Sequence, residues 1–295
     1  MSEFLSANLP YLLSGISVGG QYALIAIGYT MVYGILRLIN FAHGDVFMVA
    51  GLVMVYAPAS LPIYVSIVLV VVVTVAIGVI IEKVAYKPLR SAPRMSVMIS
   101  AIGVSYLLQN CALYFTGGLP QIYPTIPFLS EQVQIGSATT KMVTIITPIL
   151  TIVLVLLLVL MIKRTKTGMA MRAVSRDFET SELMGIKINN VISMTFVIGC
   201  FLAAIGSLLY FTNYNSVIPT SGAMPGLKAF VAAVFGGIGS VPGAVIGAFI
   251  IGICENIIKG LGLTEFSDAF TFVLLIVILL VKPTGIFGEK STDKV

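Results

Sequence analysis

Apolar runs about as long as a membrane is thick recur along this chain of 295 residues. A helix needs roughly 20 apolar residues to cross the hydrocarbon core of a bilayer. The five plainest runs cover residues 62–81, 95–115, 142–162, 191–211 and 269–281, and four less regular runs cover residues 9–35, 41–57, 225–238 and 241–258. Charged residues make up only 10% of the chain, whereas soluble domains average about 25%. The sequence therefore predicts an all-α polytopic membrane protein, with about eight or nine transmembrane helices in one domain that spans residues 1–295.

Two of the less regular regions contain glycine or polar residues that predict a broken helix. In the segment GGIGSVPGAVIGAF, residues 236–249, consecutive glycines followed by serine and proline predict a turn, after which a helix lined by glycine and alanine returns. The segment NFAHGD, residues 40–45, predicts a comparable turn between a descending and an ascending helix. Broken helices are tolerated at membrane depth only where protein or a cavity surrounds them. Eight crossings rather than nine are expected if one of these segments is re-entrant.

The lysines and arginines are distributed unequally between the two sides of the predicted membrane domain. If Lys83, Lys87, Arg90 and Arg94 face the cytoplasm, alternating crossings place most of the 17 basic residues on that same side. This asymmetry satisfies the positive-inside rule, and it predicts an external N-terminus and a cytoplasmic C-terminus. The net charge of +5 is therefore interpreted as topology and contact with membrane lipid headgroups, and not as a nucleic-acid-binding surface.

The longest loop on the basic side covers residues 163–190, KRTKTGMAMRAVSRDFETSELMGIKINN. Small or apolar residues alternate with charges at helical spacing between Met171 and Lys187, which predicts one short amphipathic helix beside the membrane. Gly185 closes this pattern, and glycine commonly follows the last residue of a helix.

The segment LRLINFAHGDVFMVAG, residues 36–51, concentrates Arg37, Asn40, Asp45 and the chain's one histidine, His43, in an apolar region. We expect the segment to lie at the inner ends of two helices. There Asn40, His43 and Asp45 are expected to hydrogen bond with one another and with the backbone of the turn. Three roles stay open for the segment: a structural turn, an inner gate or a proton relay.

Few residues point to enzymatic or ion-coupled chemistry. The C-terminal GIFGEKST differs from a phosphate-binding loop because Glu289 separates the glycine and lysine that this motif requires to be adjacent. The ionisable candidates lie near span ends, with Asp45 and Glu82 inside and Lys228 and Glu255 outside. Ionisable residues in ion-coupled carriers are more often placed deep in the membrane. The sequence therefore predicts a chain that is not an enzyme, and an ion-coupled transporter or channel is the less favoured alternative.

Three blocks of the chain resemble the permease subunit of branched-chain amino acid ABC importers, the LivH family. They are residues 22–51, YALIAIGYTMVYGILRLINFAHGDVFMVAG; residues 171–210, MRAVSRDFETSELMGIKINNVISMTFVIGCFLAAIGSLLY; and residues 228–256, KAFVAAVFGGIGSVPGAVIGAFIIGICEN. The likeness covers nearly the whole chain in order. It implies an ABC importer permease fold in the inner (cell) membrane of a bacterium or archaeon, and import of leucine, isoleucine and valine.

The resemblance also implies that the chain works with other proteins. A second permease of the LivM type would complete the membrane pathway, two ATP-binding subunits would engage the cytoplasmic face, and an extracytoplasmic substrate-binding protein would deliver the substrate. ATP and Mg would belong to the ATP-binding subunits, so no cofactor is expected in this chain. The same family plan serves importers of urea, short amides or other small polar solutes, and the sequence leaves these alternatives open.

The residues expected to perform these roles form two groups. The candidates for coupling to the ATPase subunits lie in the basic loop and in the turn after residue 236, and they are Arg172, Arg176, Asp177, Glu182, Gly185, Gly237 and Ser240. The candidates for the pathway or inner gate are Tyr22, Tyr29, Asn40, Phe41, His43, Asp45 and Phe230. A pathway for aliphatic zwitterions is expected to be weakly polar and lined by small, apolar and aromatic side chains.

Overall fold

The computed structural model describes residues 2–90, 92–136 and 138–288, with side chains described from residue 8 onward, apart from the two gaps. Lys290 and Lys294, which contributed to the predicted charge asymmetry, lie outside the described residues. Glu289, which separates this C-terminus from a phosphate-binding motif, also lies outside them.

Helices make up the membrane domain because a backbone inside a bilayer must satisfy its own hydrogen bonds. Within the described residues, six helices are long and apolar enough to cross a membrane, namely α1 (Ser2–Leu36), α3 (Ile63–Ile81), α4 (Arg94–Thr116), α6 (Met142–Arg164), α9 (Ile188–Tyr214) and α11 (Val241–Gly260). Three shorter apolar helices are α2 (His43–Tyr56), α10 (Ala223–Gly236) and α12 (Phe266–Val281). Each of the nine predicted runs coincides with one of these helices, and the all-α polytopic architecture is confirmed.

Short strands and one helical turn cover the side of the domain opposite the basic loop. Strand β1 (Gln121–Ile122) pairs antiparallel with β4 (Ser216–Val217), and β2 (Gln132–Ile135) pairs antiparallel with β3 (Ala138–Lys141). Helix α5 (Pro127–Ser130) precedes β2. The ammonium of Lys141 donates hydrogen bonds to the carbonyl oxygens of Thr212 and Asn213, so it satisfies acceptors at the end of α9.

Helix α1 lies at the centre of the bundle, where it packs against α6, α9, α10 and α11. Gly15 and Gly19 have the small-xxx-small spacing that predicts a close helix contact. A Cβ atom added to Gly15 would lie 2.9 Å from the Cα of Ile253, and one added to Gly19 would lie 2.8 Å from the Cα of Phe249. The backbones of α1 and α11 therefore touch at these glycines, in agreement with their spacing.

The basic loop contains two helices instead of the single amphipathic helix predicted for it. They are α7 (Lys166–Arg176) and α8 (Phe178–Leu183), and Asp177 separates them in an extended conformation. Asp177 interrupts the helix because its carboxylate accepts hydrogen bonds from the backbone N–H and the hydroxyl of Thr180, which caps α8. The alternation of charges is compatible with this break, so the pattern alone did not reveal it.

Two further segments complete the basic side. Residues Glu82–Tyr86 continue α3 as a single π-helical turn, a feature often found at functional sites. After α12, the chain folds back over the end of α10, where the backbone N–H groups of Ile286 and Phe287 donate to the carbonyls of Phe235 and Gly236, at 3.0 Å each.

Candidate functional site

The two short helices α2 and α10 begin against each other inside the bundle. A Cβ atom added to Gly44 would lie 2.6 Å from the carbonyl oxygen of Gly222, and one added to Gly226 would lie 2.9 Å from the Cα of Gly44. Only glycine permits this approach of two backbones. The N-terminal end of a helix is electropositive because its first N–H groups lack helical acceptors. The two helix starts therefore create a polar region within an otherwise apolar bundle.

The first residue of α2 lies deeper in the bundle than the sequence predicts. His43 packs against Gly28 of α1, which lies roughly 12 Å along the helix from its end at Leu36. The segment before His43 therefore re-enters the bundle, and the expectation that this histidine lies at the inner ends of two helices was wrong. Apolar composition located the helices, but it gave no information on where a short helix starts along its longer neighbour.

His43 is enclosed by glycine and aromatic groups. Its ring lies edge-on to that of Tyr29, with ring centroids 5.2 Å apart, and its side is flanked by Gly28 and Gly199. The side chain is buried, and its Nε2 atom has no hydrogen-bond partner among the described residues. The imidazole therefore fills a space between α1 and α9. This space exists because both helices have glycine, which lacks a side chain, at the point of contact.

Asn40, His43 and Asp45 do not hydrogen bond with one another through their side chains, contrary to expectation. The Asn40 amide oxygen accepts from the hydroxyl of Tyr86 at 2.8 Å. The Asp45 carboxylate accepts from Ser105 and from Gln109, the latter at 2.9 Å, and both of these residues belong to α4. The two polar residues therefore attach the re-entrant segment to the neighbouring helices, which spacing along the chain could not reveal.

The remaining pathway candidates occupy two different places. Tyr29 and Phe230 line a crevice that is too narrow to hold a water molecule, together with Tyr33, Ile39, Ala233 and Ile238. Phe41 lies beside Phe230, with ring centroids 6.2 Å apart. Tyr22 is buried elsewhere, where its hydroxyl donates to Glu255 at 3.1 Å. The chain therefore brings Tyr29, Phe41, His43 and Phe230 together and separates Tyr22 from them.

Gly28→Ala is expected to lower the free energy of unfolding by about 1–3 kcal/mol, because it overpacks a filled site. The added methyl group would lie 2.6 Å from the Cε1 atom of His43, whose side chain is buried. Unfolding of the isolated subunit in detergent measures this loss. Gly103→Ala on α4 is the matched control, since no atom lies within 4 Å of its added Cβ. A similar loss in both variants would contradict the packing at His43.

A buried cluster of charges that the sequence did not predict joins α1, α10, α11 and α12. The Glu255 carboxylate accepts from Lys228 at 2.8 Å and from Lys259 at 2.6 Å, and Lys228 also contacts Asp268 at 2.6 Å. Glu255 and Lys228 are only 1% and 5% exposed. The spacing of Glu255 and Lys259, four residues apart on one helix, was the one local signal for this cluster. The contacts with Lys228 and Asp268 arise only from the tertiary fold.

Most candidate coupling residues lie on the exposed surface of α7 and α8. Arg172, Arg176, Asp177 and Glu182 are all exposed. Hydrogen bonds from the hydroxyl and then the N–H of Thr180 hold the pKa of the Asp177 carboxyl below its ordinary value, so the capping charge is present at neutral pH.

Apolar side chains accompany these charges at the end of α8. Leu183 and Met184 are 88% and 78% exposed, respectively. Gly185 follows them with a φ of 82°, a conformation that glycine adopts without strain. A groove next to this turn is lined by Glu182, Gly185 and residues 186–190. The surface therefore combines charge, exposed apolar groups and a groove, a combination suited to contact with another protein.

The last two coupling candidates lie in the turn between α10 and α11. Gly237 is buried beneath the returning C-terminal segment, and a Cβ atom added to it would lie 2.8 Å from the Cα of Gly288. Ser240 is partly exposed and accepts a hydrogen bond from the N–H of Gly243, which caps α11. The structure therefore gives both residues a role in shaping the turn, and it leaves Gly237 inaccessible to a docking protein.

A bundle of membrane-crossing helices in which two half-length helices meet within the membrane domain is typical of membrane transport permeases. Comparison with protein families gives the particular family. The profile described as "Branched-chain amino acid transport system / permease component" matches residues 11–279. The chain belongs to this permease family.

Individual relatives resemble the chain over its whole length. The high-affinity branched-chain amino acid transport system permease protein LivH of Escherichia coli (strain K12) is 40% identical and covers 100% of both chains. The corresponding permease protein BraD of Pseudomonas aeruginosa is 39% identical over 97% of this chain and 98% of its own. A probable branched-chain amino acid transport permease protein LivH of Methanocaldococcus jannaschii is 27% identical over 90% of this chain and 88% of its own. These matches cover nearly all of this chain, including the segments that form the half-helices and the basic loop.

Proposed function

We propose that this chain is the transmembrane permease subunit of an ATP-driven importer of leucine, isoleucine and valine. The observation that supports this most strongly is the 40% identity to a branched-chain amino acid permease over the full length of both chains. In this proposal the whole chain is one permease domain of the bacterial or archaeal inner membrane. The basic side faces the cytoplasm, and the N-terminus lies outside.

The pathway in this proposal is shared with a second permease subunit. The crevice beside Tyr29 and Phe230 does not admit a water molecule, so it is far too narrow for an aliphatic amino acid. A second permease of related fold would complete a wider passage, and an extracytoplasmic binding protein would deliver the substrate to it. The meeting point of α2 and α10 is the region where this chain would contact the zwitterionic part of the substrate, because helix starts favour negative groups.

Energy in this proposal comes from separate ATP-binding subunits that bind ATP and Mg. The surface of α7 and α8 would dock them, with Leu183 and Met184 as apolar contacts and the neighbouring charges as polar ones. No nucleotide-binding or catalytic role is assigned to this chain. Alternating access would follow when docking moves α7 and α8, since rigid elements at an interface transmit such shifts.

Substrate competition in proteoliposomes tests the proposed substrate. The chain is reconstituted with the second permease, the ATP-binding subunits and the binding protein, and uptake of labelled leucine is followed with ATP available to the ATP-binding subunits. We expect unlabelled isoleucine and valine to compete, whereas urea and ribose do not. Competition by urea or a short amide, with no effect of valine, would assign the chain to a different solute.

Replacing both Arg172 and Arg176 with Glu is expected to reduce ATP-dependent leucine uptake by about tenfold or more, because it reverses the charge of an exposed docking surface. Uptake and ATP hydrolysis are measured together in the assembled complex. The double replacement with Lys keeps the charge and is the matched control, for which we expect most of the activity. Unchanged coupling after the charge reversal would remove α7 from the docking surface.

A further inference from the structure

Helix α4 is as exposed as α6, which has the highest mean hydropathy of the candidate spans among the described residues, but α4 is much less apolar. Only 17% of the membrane window is buried in both α4 and α6. The mean hydropathy of the two windows is 1.4 for α4 and 3.2 for α6. Polar side chains on a helix that its own chain covers poorly gain hydrogen bonds from another protein surface, because lipid tails offer none.

The two exposed faces differ residue by residue. The face of α6 is formed by aliphatic side chains, which are Ile149, Ile152, Val153, Leu156, Leu157 and Leu160. The exposed surface of α4 also has aliphatic side chains, among them Ile99, Ile102 and Leu107. It differs from α6 in including Gly103, Tyr106 and Asn110, spaced so that they share one side of the helix. The amide nitrogen of Asn110 donates to the carbonyl of Tyr106 at 2.7 Å, but the amide oxygen has no partner among the described residues. This stripe therefore has an unused acceptor at membrane depth.

Gly103 gives an independent indication of a missing neighbour. Among the described glycines within helices, it is the one for which no atom lies within 4 Å of an added Cβ. Glycine weakens a helix relative to alanine, so its presence in a transmembrane helix usually reflects close approach of another backbone. Gly15 and Gly19 have such a neighbour in α11, but no described part of this chain approaches Gly103.

Helix α4 also lies beside the candidate functional site. Its main contacts within the chain are with α2 and with the turn at 82–86. Ser105 and Gln109 face inward and hold the carboxylate of Asp45 at the start of α2. Gly103, Tyr106 and Asn110 lie on a different, exposed face of the same helix. A protein bound to this face would therefore be one helix away from the meeting point of α2 and α10.

We propose that the face of α4 formed by Gly103, Tyr106 and Asn110 binds a transmembrane helix of the second permease subunit. This inference rests on the proposed function, in which such a subunit completes the pathway. Small residues allow two helices to approach, and an amide accepts a hydrogen bond from the partner. The same contact places the boundary between the two permeases next to α2, where the pathway would run.

Photocrosslinking in the assembled complex tests this assignment. Tyr106 is replaced by p-benzoylphenylalanine, which reacts with whatever C–H group lies against it, and Leu156 on α6 is replaced in the same way as the control. We expect the probe at Tyr106 to form its main protein adduct with the second permease, about tenfold above the probe at Leu156. Adducts mainly with lipid or with a second copy of this chain would overturn the proposal.

Two substitutions give an independent measurement in which lipid and protein predict different outcomes. If Asn110 faces lipid, Asn110→Leu improves the fit to the membrane and leaves assembly unchanged. If it faces the second permease, Asn110→Leu and Gly103→Leu each reduce recovery of that subunit during copurification by about tenfold, while the yield of this chain is retained. Leu156→Ala is the control on α6. Full recovery of the second permease with both α4 variants would overturn the inference, whereas failure of the unmodified chain to recover it would overturn the proposed function itself.

Discussion

Glu255→Leu is expected to lower the free energy of unfolding by about 3 kcal/mol, near the lower end of the range for removing one partner of a buried ion pair. The Glu255 carboxylate contacts two lysines and accepts a hydrogen bond from Tyr22. Removing it leaves the hydroxyl of Tyr22 and the ammonium of Lys259 without this acceptor. The loss is moderated because Lys228 keeps its contact with Asp268.

Two further variants make the Glu255 prediction specific. Asp268→Asn is expected to lower the free energy of unfolding by about 1 kcal/mol or less. The Asp268 side chain is 47% exposed, and Lys228 keeps its ion pair with Glu255. Adding Lys228→Met to Glu255→Leu is expected to recover part of the lost stability, because it removes an excess positive charge. Chemical unfolding in detergent measures all three variants. A larger loss for Asp268→Asn than for Glu255→Leu would contradict the central position of Glu255.

Arg90→Met is expected to lower the free energy of unfolding by about 1.5–3 kcal/mol, the range for hydrogen bonds to charged groups. The Arg90 guanidinium donates to Glu82, which is 1% exposed, and also to the amide oxygen of Asn189 at the start of α9. Without Arg90, the Glu82 carboxylate would accept one side-chain hydrogen bond from the described residues. Its donor is the hydroxyl of Ser193, at 2.9 Å.

The control for Arg90→Met is Arg94→Met. Arg94 is exposed and forms no ion pair within the described residues, so its replacement is expected to change stability by about 0.5 kcal/mol or less. Arg90→Lys is expected to cause a loss of stability between those of the two Met variants. Lysine keeps the positive charge, but its ammonium lacks the planar guanidinium that reaches both Glu82 and Asn189. Equal losses for the two Met variants would show that the Glu82 contact contributes little. The contact matters for function because Asn189 lines the groove of the proposed docking surface.

The positions of the helices were predictable from the sequence, whereas contacts between polar side chains were not. Runs such as 142–162 and 191–211 correspond to α6 and α9 within a few residues, because apolar length alone determines where a helix can cross a bilayer. Gly185 was correctly expected after the end of a helix, since a positive φ there favours glycine.

The candidate site shows why the remaining features could not be predicted. Asp45 binds Gln109 and Asn40 binds Tyr86, and these pairs depend on how helices distant in sequence are arranged. The depth of His43 depends on its contact with Gly28, for which the sequence contains no periodic signal. Hydrophobic pattern along the chain does not specify which distant helices pack together, so these contacts could not be read from it.

The most direct test of the proposed permease function compares two sets of proteoliposomes. One contains this chain alone, and the other contains it with the second permease, the ATP-binding subunits and the extracytoplasmic binding protein. We expect labelled leucine to accumulate only in the second set, only with ATP, and without need for a sodium or proton gradient. Uptake by this chain alone, driven by an ion gradient, would contradict its assignment as a permease subunit of an ATP-driven importer.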